Sequence, residues 1–340
     1  MRFFSDNCGP VHPRAMKALE RANEGHADSY GDDGLTRRAA DRLREIFEAP
    51  GASVQFVGTG SAANCLLLST LCQPWHTVFC GALSHIRENE CNAVEFFGGG
   101  LKLCSLPVPE GKILPADLET AIRAQGAGDV HRPQPGAISI TQVTECGTLY
   151  TLDEIRALTD VAKAHGLATH MDGARFANAV AALGCTPAEM SWRTGIDAVS
   201  FGGTKNGLMG VEACIVFNPG SDWELALRRK RGAHLFSKHR YLSAQMDAAL
   251  TDGLWLTLAH QANAAGQGLA QGLQALGVAF DYEPQANMLF VRLPTDLRET
   301  LVREGMIGAP VGQPDEGLRL VCDWSVTKDD VERFLAVARG

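Results

Sequence analysis

From about residue 20 to residue 276 the chain alternates short, almost continuously apolar runs with stretches whose apolar residues recur at three- and four-residue steps. Runs of the first kind suit strands buried on both faces, and those of the second suit amphipathic helices. Their alternation predicts an α/β protein with a mostly parallel sheet. Strands are expected at residues 53–57, 77–80, 101–106, 137–141, 167–171, 198–201 and 213–217, with helices between them at 61–71, 153–165 and 186–194. After about residue 240 the texture changes. A long Ala/Leu/Gln-rich helix over 252–276 leads to a strand at 287–293, a helix at 296–304, a strand at 318–322 and a closing helix. That last helix has Thr327 as N-cap and Asp330 three residues on, an acidic form of the capping box. Two domains are therefore expected: a large one over 1–245 and a small C-terminal α+β domain over 246–340.

Composition narrows the class. Of 340 residues, 45% are hydrophobic and 21% charged, which suits a soluble globular chain and excludes a disordered, collagen-like or coiled-coil one. A formal net charge of -8 argues against nucleic-acid and anionic-membrane partners, which need a basic face. No apolar run is long enough to span a bilayer, and charge appears too early for a signal-peptide core, so a cytoplasmic protein is expected. The ten cysteines show no C-x-x-C spacing and no tight cluster with histidine, which predicts reduced thiols and no metal site.

In a parallel α/β sheet, ligands bind beyond the carboxyl ends of the strands. Four expected strand ends carry polar residues that a core does not need. Val57-Gly58-Thr59-Gly60-Ser61-Ala62-Ala63-Asn64 runs from strand into helix through small residues, an anion site suited to phosphate. It also fits G-x-G-x-x-A, so a nicotinamide-dependent dehydrogenase using Gly58 to Ala63 competes, but no acid stands at the next strand end to bind ribose. Asp172 closes an apolar strand and needs a charged or hydrogen-bonded partner there, for which an Asp172–Arg175 ion pair or a helix cap would serve. Lys205 lies in Gly203-Thr204-Lys205-Asn206-Gly207 after another buried strand. A partly desolvated lysine at such a point has a lowered pKa and is a Schiff-base nucleophile. His85 follows the strand that ends near Cys80. A phosphate cradle, an aromatic ring, a strand-end acid and a Gly-flanked lysine, in that order, are the parts of a fold-type-I pyridoxal 5'-phosphate (PLP) enzyme.

With these blocks in place, the chain resembles the low-specificity L-threonine aldolases over nearly its whole length. The likeness is carried by Phe4-Ser5-Asp6-Asn7, Tyr30-Gly31-Asp32-Asp33, Thr59 to Asn64, Ser84-His85, Asp129-Val130-His131, His170 to Asn178, Ser200 to Gly207 and Arg228 to Arg231. The resemblance implies a PLP-dependent-transferase-like fold and a set of roles. Lys205 would hold the cofactor's aldehyde, Asp172 the proton on its ring nitrogen, and Thr59, Gly60 and Ser61 its phosphate. His85 would stack on the ring and is the candidate base for the substrate's β-hydroxyl. Ser5 and Arg175 would take the substrate carboxylate, with Arg319 as a second clamp. His131 would join the catalytic set at the edge of the site. Tyr30 and the Arg228–Arg231 run would reach a neighbouring subunit's site in a homotetramer, although a solvated helix face also suits the basic run. The implied reaction cleaves L-threonine, L-allo-threonine and related β-hydroxy-α-amino acids to glycine and an aldehyde. A phenylserine aldolase, a β-eliminating lyase or a serine hydroxymethyltransferase-like enzyme would share these parts. A catalytically silent cofactor-binding protein would have no need of the full set.

Overall fold

The computed structural model describes residues 3–308 and 317–340. Seven strands form the main sheet: β1 (Ser53–Val57), β2 (His76–Gly81), β3 (Lys102–Leu106), β4 (Gln134–Thr141), β5 (Ala168–Gly173), β6 (Ala198–Gly202) and β7 (Glu212–Val216), in the order β1-β7-β6-β5-β4-β2-β3. Each coincides with an expected run and differs only at its ends. The pairs β2–β3, β2–β4, β4–β5 and β5–β6 are parallel, whereas β7 runs antiparallel to both β6 and β1. β1 is thereby an edge strand whose neighbour is antiparallel. A dinucleotide site needs its glycine-rich turn after a parallel strand beside the switch point of the sheet. The dehydrogenase reading therefore fails on topology as well as on the missing ribose acid.

Helix Gly60–Leu71 is buried from Ala62 through Ser69, as its almost wholly apolar sequence requires. Helix Leu152–Ala164 opens on a capping box: Thr151 Oγ1 accepts from the Glu154 N–H at 3.2 Å, and Glu154 Oε2 accepts from the Thr151 N–H at 2.7 Å. The helix expected over 186–194 is instead two pieces, Pro187–Met190 and a 3-10 turn Trp192–Thr194. Ser191 between them leaves helical geometry (φ -119°, ψ -107°), and its hydroxyl donates back to the Pro187 carbonyl at 2.6 Å.

The long helix Leu254–Ala275 starts after Asp252 and Gly253, which both take left-handed backbone (φ 55° and 65°). It serves two cores. Trp255 and Ala259 pack into the core under the main sheet. Leu269, Ala270 and Leu273 pack into a second core with the closing helix Lys328–Arg339 and a small antiparallel sheet. That sheet comprises β8 (Ala279–Phe280), β9 (Met288–Arg292) and β10 (Leu318–Val321) in the order β10-β9-β8, and the two-residue β8 is too short for periodicity to reveal. Phe3, from the amino end, is buried in this second core, edge-on to Phe334 with ring centroids 4.9 Å apart. No described helix is long and apolar enough to cross a membrane.

Candidate active site

The expected lysine and acid meet because two strand ends approach without side chains between them. A Cβ on Gly202 would run into the Ala174 carbonyl oxygen, and one on Gly203 into that of Val211. The turn after β6 therefore folds over the end of β5. Lys205 sits in a 3-10 turn, Thr204–Asn206, anchored by a 2.7 Å hydrogen bond from Asn206 Nδ2 to the Trp255 carbonyl. Burial pushes the Lys205 ammonium below its usual pKa, and Arg175 adds to this, while Asp6, Asp172 and Glu212 pull the other way. The net direction favours a free amine, the nucleophilic form. Glu212, buried on β7, takes the Gly203 N–H at 2.7 Å, and burial pushes its carboxyl up to about 7.

Asp172 is buried at the end of β5. Its Oδ1 accepts from the Ala174 N–H at 3.0 Å, and its Oδ2 accepts from Asn64 Nδ2 at 2.9 Å. The Asp172–Arg175 ion pair offered by the sequence does not form. Arg175 instead holds Asp6 of the N-terminal arm, Nε to Oδ2 at 2.6 Å and Nη2 to Oδ1 at 2.8 Å. Burial would raise the Asp6 pKa, but the guanidinium beside it prevails and holds the carboxyl below its usual range. Ser5 precedes Asp6, half-buried. Arg319 reaches in from β10, its Nη2 3.5 Å from the Phe4 carbonyl. Partial desolvation and the neighbouring Arg175 push its guanidinium pKa down. The two guanidiniums repel each other electrostatically while Asp6 attracts both, an arrangement of positive groups that suits a carboxylate ligand.

The run after β1, the candidate phosphate cradle, turns directly into a helix. Thr59 caps helix Gly60–Leu71 with Oγ1 accepting from the Ala62 N–H at 3.2 Å. The first N–H groups, of Gly60 and Ser61, have no intrahelical carbonyl within reach. A Cβ on Gly58 or Gly60 would meet nothing within 4 Å, so the backbone there borders open space. His85 opens the short helix His85–Glu88. Its Nδ1 lies 2.8 Å from Oε1 of buried Glu90, and its backbone N–H donates to Glu145 Oε1 at 3.0 Å. The bond to Glu90 raises the His85 pKa against the opposing effect of burial.

Asn64 joins these parts. Its amide nitrogen donates to both Asp172 Oδ2 and Glu90 Oε1, each at 2.9 Å, while its Oδ1 accepts from Ser200 Oγ at 2.7 Å. Ser200 also bonds His170 Nε2 at 3.1 Å, and His170 Nδ1 bonds Ser139 Oγ at 2.9 Å. Burial pushes His170 down to about 4, so it is a neutral part of this chain. Asn64, Asp6 and Ser200 stand in the sequence only as members of motifs, without a role, and Glu90 and Glu212 stand in none. Ser200 and Glu212 sit in strands that otherwise read as apolar core, which was the available signal.

Two expected residues are not brought to Lys205 within this chain. His131 is exposed in the loop before β4, whose start pairs with the amino end of β2, opposite the site. Tyr30 is 49% exposed with Lys230 Nζ 5.1 Å from its ring centroid. In the basic run, Arg229 is buried, bonding the Phe56 carbonyl at 3.3 Å, while Arg228 pairs with Glu224 on the helix surface. Among the described residues no cluster of His, Cys, Asp or Glu is placed to hold a metal.

The family model described as beta-eliminating lyase matches residues 2–295. The chain belongs to the beta-eliminating lyase family. This lyase is 41% identical to a low specificity L-threonine aldolase of Pseudomonas sp. (strain NCIMB 10558), over 100% of its own length and 97% of the relative's. Its structure matches a threonine aldolase of Leishmania major with a TM-score of 0.90 at 28% identity, covering 99% and 98% of the two chains. An aspartate aminotransferase of Thermus thermophilus shares the fold alone, with a TM-score of 0.70 at 16% identity over 97% and 88%. The fold is that of the fold-type-I PLP enzymes, and the cofactor of the lyase is pyridoxal 5'-phosphate. The donor set fits it: a half-buried amine with lowered basicity, a buried carboxylate, helix N–H groups beside open space, and an imidazole tied to that carboxylate through Glu90 and Asn64.

Proposed function

We propose that the protein is a low-specificity L-threonine aldolase, cleaving L-threonine, L-allo-threonine and related β-hydroxy-α-amino acids to glycine and an aldehyde. The end-to-end likeness to the Pseudomonas sp. enzyme named for that activity carries the reading. The arrangement of Lys205, Asp172, His85 and the paired arginines agrees with it.

In this reading Lys205 holds the cofactor by its aldehyde, and Asp172 keeps a proton on the ring nitrogen. The N–H groups of Gly60 and Ser61, with the Thr59 hydroxyl, hold the phosphate. Bound there, pyridoxal phosphate supplies a sink for the electron pair released when Cα–Cβ breaks. Arg175, Arg319 and Ser5 grip the substrate carboxylate and so set the direction of that bond, an orienting role that guanidinium pairs perform well. His85 takes the β-hydroxyl proton as the C–O bond becomes a carbonyl. The aldehyde leaves, and Cα regains a proton to give glycine. Substrate and products have the same atoms and oxidation level, so no further reactant is needed.

The ten free thiols support a cytoplasmic setting, where such thiols stay reduced. Exposed Phe96, Trp223, Leu227 and Phe236 support a homotetramer in which other copies cover apolar surface. In that assembly Tyr30 is assigned to the edge of a neighbouring subunit's site. A visible spectrum with and without L-threonine tests the function. The expected result is a yellow protein that releases acetaldehyde and glycine, and a Lys205→Ala variant without the lysine-linked absorbance band. Release of 2-oxobutanoate and ammonia instead would make the enzyme an eliminating lyase.

A further inference from the structure

Buried Glu90 has no place in the roles above, yet it holds the candidate base. Its side chain is 0% exposed, while that of His85 is 42% exposed. Glu90 Oε1 receives both the Asn64 amide and the His85 ring, and its Oε2 is buried without a partner. A carboxylate taken so far from water is costly unless a charge or donor stays beside it. Ser200 Oγ satisfies Asn64 Oδ1, so the two amide hydrogens must point at the carboxylates of Asp172 and Glu90. Glu90 Oε1 therefore faces donors only, and His85 must offer it a hydrogen from Nδ1. Nε2 makes no hydrogen bond to a described residue.

We propose that Glu90 and Asn64 are positioning residues of the reaction. Glu90 fixes His85 as the Nδ1–H tautomer with its Nε2 lone pair toward the substrate, and Asn64 locks that pair to Asp172 through one amide. A tautomer held by a second group is how a histidine becomes a directional base. The charged groups around the ring are Glu90 and the Arg87–Glu88 pair from its own segment, Glu145 from the loop after β4, Asp172 from β5 and Lys205 from the turn after β6. The inference rests on the proposed aldolase function for the identity of the proton, but the geometry is testable without turnover.

Nitrogen NMR of the histidine-labelled holoenzyme reads the tautomer directly. His85 is expected to carry its neutral-form proton on Nδ1, and an Nε2–H form would overturn the proposal. In Glu90→Gln, which keeps the shape and removes the charge, the His85 titration should move to lower pH. The acid limb of kcat should move with it, and kcat should fall about tenfold or more with KM little changed. An unmoved titration in a folded, yellow Glu90→Gln protein would overturn it equally. Absence of acetaldehyde from the wild type would refute the aldolase function and leave the tautomer result to stand by itself.

Discussion

Arg175 binds an anion of the chain itself, and the pair it makes with Asp6 is among the most deeply buried in the molecule, with side chains 10% and 1% exposed. Its Nε and Nη2 are engaged, so in the proposed function a substrate carboxylate would meet its remaining Nη1 edge. Because the Asp6 pKa is lowered in the folded state, the stability it contributes is present above the unfolded value near 4 and is lost as pH falls through the depressed folded value. Asp6→Asn should cost about 3 kcal/mol at pH 7, since it strands a guanidinium. In urea titrations the gap to wild type should close as pH drops below about 4. A gap that stayed constant with pH would show that the charge pair is not its source. Lys205, Asp172 and His85 were legible in the sequence because polar residues at strand ends stand out against apolar runs. Asp6 and Glu90 were not, since each looks like an ordinary surface acid until its burial is known.

At the scale of elements, the strands were legible almost residue by residue, because burial on both faces writes itself as an unbroken apolar run. What the pattern did not show was direction. β7 has the same texture as its parallel neighbours and runs against them, which removes the dinucleotide alternative. The site then depends on how closely strand ends approach, and that is the business of Gly202 and Gly203. Gly202→Ala would drive a methyl group into the Ala174 carbonyl and force the turn carrying Lys205 away from Asp172. We expect about 1–3 kcal/mol of destabilisation, together with weaker retention of the cofactor on dialysis, followed by its visible absorbance. Full retention would mean that the turn accommodates the methyl group without moving the lysine.

Across the whole molecule the N-terminal arm ties the two cores to the site. Phe3 is buried in the second core, its N–H donating to the Met306 carbonyl at 2.5 Å and its carbonyl accepting from Val321 at 3.2 Å. Asp6, three residues on, holds Arg175 of the main domain and accepts from Asn287 at 3.2 Å. Phe3→Ala should therefore cost about 3 kcal/mol in stability and also raise KM for L-threonine, because it frees the arm that positions Ser5 and Asp6. Loss of stability with KM unchanged would uncouple the arm from the site. Periodicity, composition and strand-end motifs sufficed for the fold class and singled out Lys205, Asp172 and the Gly58–Ser61 turn as candidates, because each is a local pattern in which polarity and spacing carry the information. The partner of each charge came from the folded chain. Asp6 and Arg175 lie 169 positions apart, and Asn64 and Asp172 lie 108 apart. Which of several acids meets which base depends on proximity in space and on removal from water, and a linear pattern records neither.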